Sequence, residues 1–287
     1  MERGIVVSAD STCDINGDLE EKYSPATSAL HINLEGKEYS DGVDLDPDYI
    51  LKVYKEKKIL PKTSSTSEAE YIDHFEKIFS QGAREIIHIS LSSKLSSSYQ
   101  NATNAAIKLG NIYTVDSHNL SLGSGMLVIE AHEKIKETED SAKQIAEKIT
   151  YLREKCDISF VLSTLDFMST GGRCPGVVAL GANFLNIKPS IKVNSHQGKM
   201  SIAKMYRGKL ESVLPKYIYD RLNGRKIANS RVFIVHSGLD KDLLDKCVET
   251  VKQLTNNTVE KIIVSRAGCT ITCHCGPKTL GVAFLRE

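Results

Sequence analysis

Short apolar runs alternate with amphipathic stretches along the first half of the chain. Residues 4–9, 85–91 and 112–115 are rich in aliphatic side chains, a pattern that predicts buried strands. Apolar residues at helical spacing predict helices at Ser98–Leu109 and over residues 122–136. Strands that alternate with helices are typical of a mostly parallel sheet with helices on both faces. We therefore predict an α/β sheet of this kind for the N-terminal part of the chain.

Two further helices carry start signals in the sequence. Ser67 is followed three residues later by Glu70, and Ser141 by Gln144, which is the pattern of a capping box. Gly82 marks the end of the first of these helices. The apolar side chains predicted to face inward are Tyr71, Ile72, Phe75, Ile78 and Phe79 in the first helix and Ile145, Ile149 and Leu152 in the second.

The pattern changes at about residue 158, where strands and helices no longer alternate regularly. Strands are predicted over residues 158–163, 231–236, 259–265 and 280–285, and a hairpin over residues 191–203. The predicted helices of this part are residues 175–185, Leu210–Leu222 and Lys241–Leu254. We therefore predict two domains, an N-terminal α/β domain over residues 1–157 and a C-terminal α+β domain over residues 158–287.

Composition narrows the function classes. A chain of 287 residues with 41% hydrophobic and 25% charged residues is ordinary for a globular protein of one large or two medium domains. The formal net charge of +1 gives no global attraction for nucleic acid or anionic lipid. No run of about 18 apolar residues predicts a transmembrane helix, and the first residues lack the pattern of a signal peptide. With seven cysteines, an odd number, a disulfide framework is disfavoured, and we expect a cytoplasmic protein.

Hydroxyl and carboxyl groups follow the predicted strands of the N-terminal sheet. These groups are Asp10-Ser11, residues 90–93 and Asp116-Ser117. Because ligands of parallel sheets bind beyond the carboxyl ends of the strands, we expect a site at this edge. The serine-rich segment 91–98 also leads into a predicted helix. Free backbone N–H groups at the start of that helix suit a carboxylate or a phosphate.

The same hydroxyls also have structural or catalytic explanations. The hydroxyls of residues 62–67 are as compatible with a plain loop that leads into a helix cap as with a functional site. A nucleophilic serine needs a base and an orienting group. The nearest approach to a Gly-x-Ser-x-Gly elbow is Gly123-Ser124-Gly125, whose glycines are too close and lie in a predicted helix. Hydrolysis is therefore disfavoured. The chain also has no Walker loop and no Gly-x-Gly-x-x-Gly motif, which leaves nucleotide binding without support.

The segment Cys269–Cys275 holds three cysteines and His274, enough ligand atoms for a metal ion. Read as a strand, it would place the cysteines on one face and the histidine on the other, and no Cys-x-x-Cys pair is present. Buried cysteines are therefore favoured over a zinc site. His274 precedes the turn signal Gly276-Pro277, so its ring either donates to an anion or holds that turn. Arg173 follows two glycines and either joins backbone donors on an anion or forms a surface salt bridge.

Taken together, several ordered blocks make the chain resemble the DegV family of bacterial fatty-acid-binding proteins. The blocks are Asp10-Ser11-Thr12, Tyr39-Ser40-Asp41-Gly42, Pro61-Lys62-Thr63-Ser64, Ser92-Ser93-Lys94-Leu95-Ser96, Gly171-Gly172-Arg173, Ile187-Lys188-Pro189 and His274-x-Gly276-Pro277. The resemblance covers nearly the whole chain. It implies two α/β domains that hold one long-chain fatty acid, such as palmitate, in a tunnel between them.

The resemblance also implies roles for individual residues. The hydroxyls of Thr63 and Ser96 would bind the carboxylate, with Ser93 as the fallback for Ser96, and His274 and Arg173 would lie nearby. No catalytic residue, metal or cofactor is implied. A separate kinase would phosphorylate the bound acid, and the acyl phosphate would enter phospholipid synthesis. The alternatives are a phosphoryl- or acyl-transfer enzyme that uses the serine-rich strand ends, and a regulatory module that senses lipid.

Some positions depart from the family pattern. Ser65-Thr66 stands where Gln-Pro is usual, Ser97-Ser98 where Gly-Thr is usual, and Cys174-Pro175 where Ile-Ser is usual. Lys278 replaces a glycine, and Tyr206-Arg207-Gly208 only partly matches an arginine-rich block. These departures concern chain-length preference and the contact with a kinase more than binding itself.

Overall fold

The computed structural model describes residues 2–180, 187–255 and 259–287. Its strands are β1 (Ile5–Asp10), β2 (Ala26–Ser28), β3 (His31–Leu34), β4 (Lys37–Ser40), β5 (Lys62–Ser64), β6 (Glu85–Ser90), β7 (Ile112–Asp116), β8 (Cys156–Val161), β9 (Ile187–Asn194), β10 (Lys199–Arg207), β11 (Arg231–Ser237), β12 (Lys261–Arg266) and β13 (Thr279–Leu285). Its α-helices are α1 (Asp18–Tyr23), α2 (Pro47–Lys57), α3 (Glu68–Ser80), α4 (Ser98–Leu109), α5 (Leu122–Glu137), α6 (Ala142–Leu152), α7 (Asp166–Gly171), α8 (Pro175–Leu180), α9 (Leu210–Leu222), α10 (Lys241–Leu254) and α11 (Cys269–Cys275).

The first sheet is fully parallel, with strand order β2-β1-β6-β7. Successive residues of a strand face opposite sides of the sheet, and both sides are apolar here. On one side Ile86 packs with Phe75 of α3 and Ala102 of α4. On the other side Ile87 and Ile89 join the large core built with α5 and α6. The predicted parallel sheet with helices on both faces is confirmed.

The second sheet is mixed, with strand order β10-β9-β8-β13-β11-β12. Only β11 and β12 pair in parallel. Helices α9 and α10 cover one face, where the fully buried Tyr217 packs with Val161, Ile234 and Leu280. The opposite face, which includes Phe160, belongs to the same large core as the first sheet. The two sheets therefore share the apolar layer that lies between them.

A third, small sheet of order β4-β3-β5 was not predicted. All its pairs are antiparallel, and His31 pairs with Ser64 at one end of the β3–β5 ladder. Ile32 and Leu34 of β3 are buried in a separate apolar cluster with Ile50 of α2 and Cys273 of α11. This packing places β5 beside α11, which matters for the site because Thr63 lies on β5.

Most predicted elements agree with the structure. The capping boxes of Ser67 with Glu70 and of Ser141 with Gln144 are both present. The predicted helix over residues 175–185 corresponds to α8, and its residues 181–185 lie outside the described part of the chain. Strand β8 begins at Cys156, so its first two residues precede the boundary drawn between 157 and 158. The division into two domains at that point stays a prediction.

The prediction of a strand at Cys269–Cys275 is wrong, because this segment is the helix α11. The N–H of Gly268 donates to Asp14 (2.8 Å) and that of Cys269 donates to Asp41 (2.9 Å). These carboxylates satisfy donors that a helix start otherwise leaves free. Cysteines and His274 are therefore arranged around a helix rather than on the two faces of a strand.

Within residues 2–180, 187–255 and 259–287, no helix combines the length and hydrophobicity that crossing a lipid bilayer requires.

Candidate functional site

A narrow cavity lies in the apolar layer between the two large sheets. Together with its open mouth it encloses about 800 Å³. About half of its lining residues are apolar, which suits an alkyl chain. Its apolar lining consists of Leu30, Leu91, Leu95, Leu120, Ile158, Phe160, Met168, Met200, Val235, Ala267, Ile271, Cys275 and Gly281.

Polar side chains gather where the cavity reaches the protein surface. Thr63 of β5, Ser96 of the β6–α4 loop, His274 of α11 and Arg173 after α7 all line this part of the wall. Arg173 is exposed, whereas the other three are half-buried. Four of the five residues predicted for the site therefore line one cavity, although they come from four separate segments of the chain.

Thr63 and His274 are in direct contact. The Thr63 Oγ1 lies 2.8 Å from His274 Nε2, within hydrogen-bond distance. Burial, with the positive charge of Arg173 as a second cause, lowers the pKa of His274 to about 4, so the ring is neutral at physiological pH. Its other nitrogen, Nδ1, is buried and has no hydrogen-bond partner among the described residues. The ring therefore has an unused polar atom beside the opening.

Gly171 makes room for the His274 ring. A Cβ atom at this position would lie 2.3 Å from His274 Nδ1, far inside contact distance. The glycine of the Gly171-Gly172-Arg173 block thus has a steric reason, since any side chain would push the imidazole away from Thr63. The Arg173 guanidinium stays close by, because its Nη1 donates to the Gly171 carbonyl oxygen (2.7 Å).

Ser96 lies in the turn that leads into helix α4. Its Oγ accepts a hydrogen bond from the Ser98 N–H (3.2 Å) and lies 2.9 Å from the Ser98 Oγ. The hydroxyl is therefore fixed beside the opening. The preceding Leu95 carbonyl oxygen accepts from Arg173 Nε at 3.4 Å, which ties this turn to the other side of the opening.

Ser93, the fallback for Ser96, is not among the described residues that line the cavity. Its backbone N–H donates to Asp116 (3.1 Å) at the end of β7. In the same way, the Leu91 N–H donates to Asp10 (2.8 Å) at the end of β1. The carboxylates at the carboxyl ends of these strands hold the β6–α4 loop in place. Leu91 and Ser96 of this loop line the cavity at the predicted edge of the sheet, whereas the acids there support the loop.

Two serines that could be considered as nucleophiles, Ser8 and Ser124, are not among the described residues that line the cavity. The Ser8 Oγ is 2.9 Å from His88 Nδ1, and His88 Nε2 is 3.3 Å from Asp10. Ser8 and His88 are 0% exposed, so no substrate reaches them in this conformation. Ser124 is buried in α5 and donates to the Ser121 carbonyl oxygen (2.8 Å). Neither serine supports an acyl-transfer mechanism.

The seven cysteines are buried, and all of them are free thiols. Burial raises the pKa of the Cys275 thiol to about 12, which keeps it protonated and unreactive. In the parts of the chain that the structure describes, no group of three or more His, Cys, Asp and Glu side chains is placed to hold a metal ion. The polar part of the described lining therefore consists of hydroxyls, the imidazoles of His236 and His274, and the guanidinium of Arg173.

The described lining also contains polar residues that sequence reasoning did not assign to the site, namely Ser64, Ser65, Ser121, His236, Ser237 and Thr279 together with Thr12 and Thr270. Thr12 follows strand β1, so the rule about strand ends would have found it. Thr270 gave no such signal, because the segment around it was interpreted as a strand rather than as helix α11.

The family model described as "Uncharacterised protein, DegV family" matches residues 4–287. The chain belongs to the DegV family. A DegV domain-containing protein of Caldanaerobacter subterraneus is 30% identical over 289 residues, covering 99% of each chain. The family predicted from the sequence blocks is therefore confirmed.

Solved structures of DegV proteins share the fold over its full length. A DegV family protein of Thermus thermophilus, described as fatty-acid binding, has a TM-score of 0.84 and 28% identity, with 99% of both chains covered. The DegV protein of Bacillus subtilis has a TM-score of 0.78 and 20% identity, again over 99% of both chains. The second likeness, at that identity, concerns the fold alone. Both relatives match the two-sheet arrangement seen here.

Proposed function

We propose that this DegV protein binds one long-chain fatty acid in the cavity, with the carboxylate at the opening lined by Thr63, Ser96, His274 and Arg173. The observation that carries the proposal is a narrow apolar cavity that ends at the surface among hydrogen-bond donors. The similar protein of Thermus thermophilus, described as fatty-acid binding, supports the same ligand class. No residue of the chain is assigned a catalytic role.

The tail and the head group of the fatty acid contribute differently to the binding free energy. Burying a tail of about fifteen carbons contributes roughly 12 kcal/mol at about 0.8 kcal/mol per methylene, before entropic losses. Hydrogen bonds from two hydroxyls to a carboxylate contribute about 3–6 kcal/mol at most. Because the opening is in contact with water, part of that gain replaces hydration. The tail therefore sets most of the affinity, and the hydroxyls set where the carboxylate lies.

A carboxylate held at the opening is within reach of a second protein. Arg173 is exposed there, and so is Ser64. We propose that a separate cytoplasmic kinase docks over this opening and phosphorylates the carboxylate to an acyl phosphate. In that step an oxygen of the carboxylate attacks the γ-phosphorus of ATP, and ADP leaves. The DegV protein contributes the position of the acid and keeps the rest of the chain out of water.

The first experiment is mass spectrometry of lipid extracted from the purified protein. We expect a fatty acid of about 16 to 18 carbons at close to one molecule per chain, because a single cavity of this size holds a single alkyl chain. Absence of any acyl lipid, together with no binding of added palmitate, would overturn the proposal. Turnover of a fatty-acyl substrate by the purified protein alone would favour the enzyme alternative instead. Bound acid that no cognate kinase phosphorylates would favour lipid sensing.

The pKa of His274 provides a test of where the head group lies. In the empty protein, burial holds it at about 4. A carboxylate bound next to the ring favours the imidazolium, so we expect palmitate to raise this pKa by at least about one unit. By linkage, affinity then rises as the pH falls through the pKa of the bound state, and it levels off below the pKa of the empty protein, about 4. The measurement is an NMR titration of the imidazole nitrogens with and without palmitate.

His74 is the matched control for that titration. Burial also lowers the pKa of His74 to about 4. The His74 ring contacts Ser8 (2.8 Å) on the side of the first sheet that α3 covers, and His74 is not among the described cavity-lining residues. Its titration should not respond to palmitate. An unchanged pKa of His274 in the palmitate complex would show that the carboxylate lies elsewhere.

A further inference from the structure

The hydroxyls of two threonines in the cavity wall are unsatisfied in the described structure. Thr12 is 1% exposed and Thr270 is 3% exposed, and both line the cavity. Their Oγ1 atoms are buried and have no hydrogen-bond partner among the described residues. Buried polar groups are nearly always hydrogen-bonded, so two orphan hydroxyls in one cavity wall call for a ligand atom.

Other hydroxyls in the same wall are satisfied. The Ser121 Oγ donates to Asp14, the Ser237 Oγ donates to Thr272 Oγ1 (3.3 Å), and the Thr279 Oγ1 donates to the Cys275 carbonyl oxygen (2.8 Å). A hydroxyl in this cavity therefore does find a protein partner where the fold supplies one. Thr12 and Thr270 are the exceptions within the described lining.

The two threonines lie next to the acyl chain rather than at the head group. Thr270 is in the first turn of α11, about one helical turn before His274, and so about 6 Å from His274 along the helix axis. Thr12 is in the 3₁₀ turn Ser11–Cys13, which packs against α11. Both hydroxyls thus face the part of the cavity that the proposed function assigns to the tail.

We propose that this cavity selects an acyl chain that carries an oxygen substituent, a hydroxyl or a keto group, where it passes Thr12 and Thr270. The inference rests on the proposed fatty-acid binding and adds a substrate class to it. A saturated chain has no atom that can bond these hydroxyls, so it leaves both unsatisfied. A hydroxyl on the chain can accept from one threonine and donate to the other, and a keto oxygen can accept from both.

The test compares stearate with its 3-, 10- and 12-hydroxy derivatives and 10-ketostearate, by calorimetry on the full-length protein. We expect at least one oxygenated acid to bind about tenfold tighter than stearate, the effect of satisfying groups that are otherwise buried unpaired. In the double variant Thr12→Val, Thr270→Val, which keeps the shape and removes both hydroxyls, the order should invert. Stearate should then bind a few-fold tighter than it binds the wild type, and the oxygenated acid at least tenfold more weakly.

Ser90→Ala is the control, since Ser90 has a buried hydroxyl without a partner but is not among the described cavity-lining residues. It should leave the preference unchanged. Wild type that binds stearate at least as tightly as every oxygenated acid overturns the inference while leaving fatty-acid binding intact. Failure to bind any of the acids overturns the proposed function instead.

A crystal structure of the wild-type complex decides the matter if a valine variant does not fold. The substituent oxygen within hydrogen-bond distance of Thr12 or Thr270 supports the inference. Ordered water on both threonines beside the acyl chain overturns it, and so does the carboxylate itself bound there.

Discussion

Replacing Ala267 with phenylalanine should lower the affinity for palmitate by at least about 100-fold while the protein stays folded. Ala267 is 2% exposed and lines the cavity just after strand β12. A phenyl ring at this position fills space that is empty in the unliganded protein. Excluding four methylenes from the cavity forfeits about 3 kcal/mol, a factor of roughly 200 in Kd. Calorimetry with palmitate measures the loss, and circular dichroism confirms that the melting transition remains cooperative.

Chain length is the internal control for Ala267→Phe. A short acid such as octanoate ends before the blocked part, so its affinity should stay within a few-fold of the wild-type value. The pattern of a large loss for palmitate and a small loss for octanoate identifies a shortened tunnel. A folded variant that binds palmitate as the wild type does would mean that the acyl chain does not enter this cavity.

Replacing Thr63 and Ser96 together by alanine should affect phosphorylation far more than binding. The tail retains its burial, and water can solvate a carboxylate at the open end, so we expect palmitate affinity to fall only about tenfold. Without the two hydroxyls the carboxylate is no longer held in one place. Misplacing a reacting atom by an ångström can cost about 100-fold in rate, so kinase-dependent acyl-phosphate formation should fall to background.

Ser93→Ala is the matched control for the double variant, because Ser93 is in the same loop but its N–H, rather than its hydroxyl, makes the contact with Asp116. We expect the kinase to phosphorylate palmitate bound to this variant at the wild-type rate. The opposite result, loss with Ser93→Ala and none with the double variant, would move the carboxylate to the fallback position. Survival of both affinity and turnover in the double variant would refute the assignment of Thr63 and Ser96.

Local pattern was enough to predict the elements that carry their own signals. Helix α4 occupies Ser98–Leu109 as predicted, and α9 and α10 also have the predicted bounds, since each repeats apolar residues over three turns or more. The small sheet was not predicted, because β3, β4 and β5 have only three or four residues each, too few to show alternation. The sequence pattern therefore predicted the long elements and missed the short strands of the small sheet.

Helix α11 shows why local pattern fails where distant residues decide. Its alternating cysteines, threonines and isoleucine look like a strand. The helix instead begins where Asp14 and Asp41 accept the N–H groups of Gly268 and Cys269, from 254 and 228 residues away in sequence. No window of sequence contains that information.

Only part of the candidate site could be predicted from the sequence. Periodicity pointed to the sheet edge that the cavity borders, but the proposed roles of Thr63, Ser96, Arg173 and His274 came from the family blocks. Their assembly around one opening depends on packing between β5, α7, α11 and the β6–α4 loop. The orphan hydroxyls of Thr12 and Thr270 depend on which neighbours are missing, and only three-dimensional coordinates reveal a missing neighbour.

The contact between Thr63 and His274 joins positions 211 residues apart. A lipid seated against both would cross-link the beginning and the end of the chain, and an unfolded chain has no such seat. Occupancy should then slow degradation in the cell, because ligand at 100 times its Kd adds about 2.7 kcal/mol to folding free energy. The abundance of this protein would in that case follow the supply of free lipid, with proteases clearing the vacant copies.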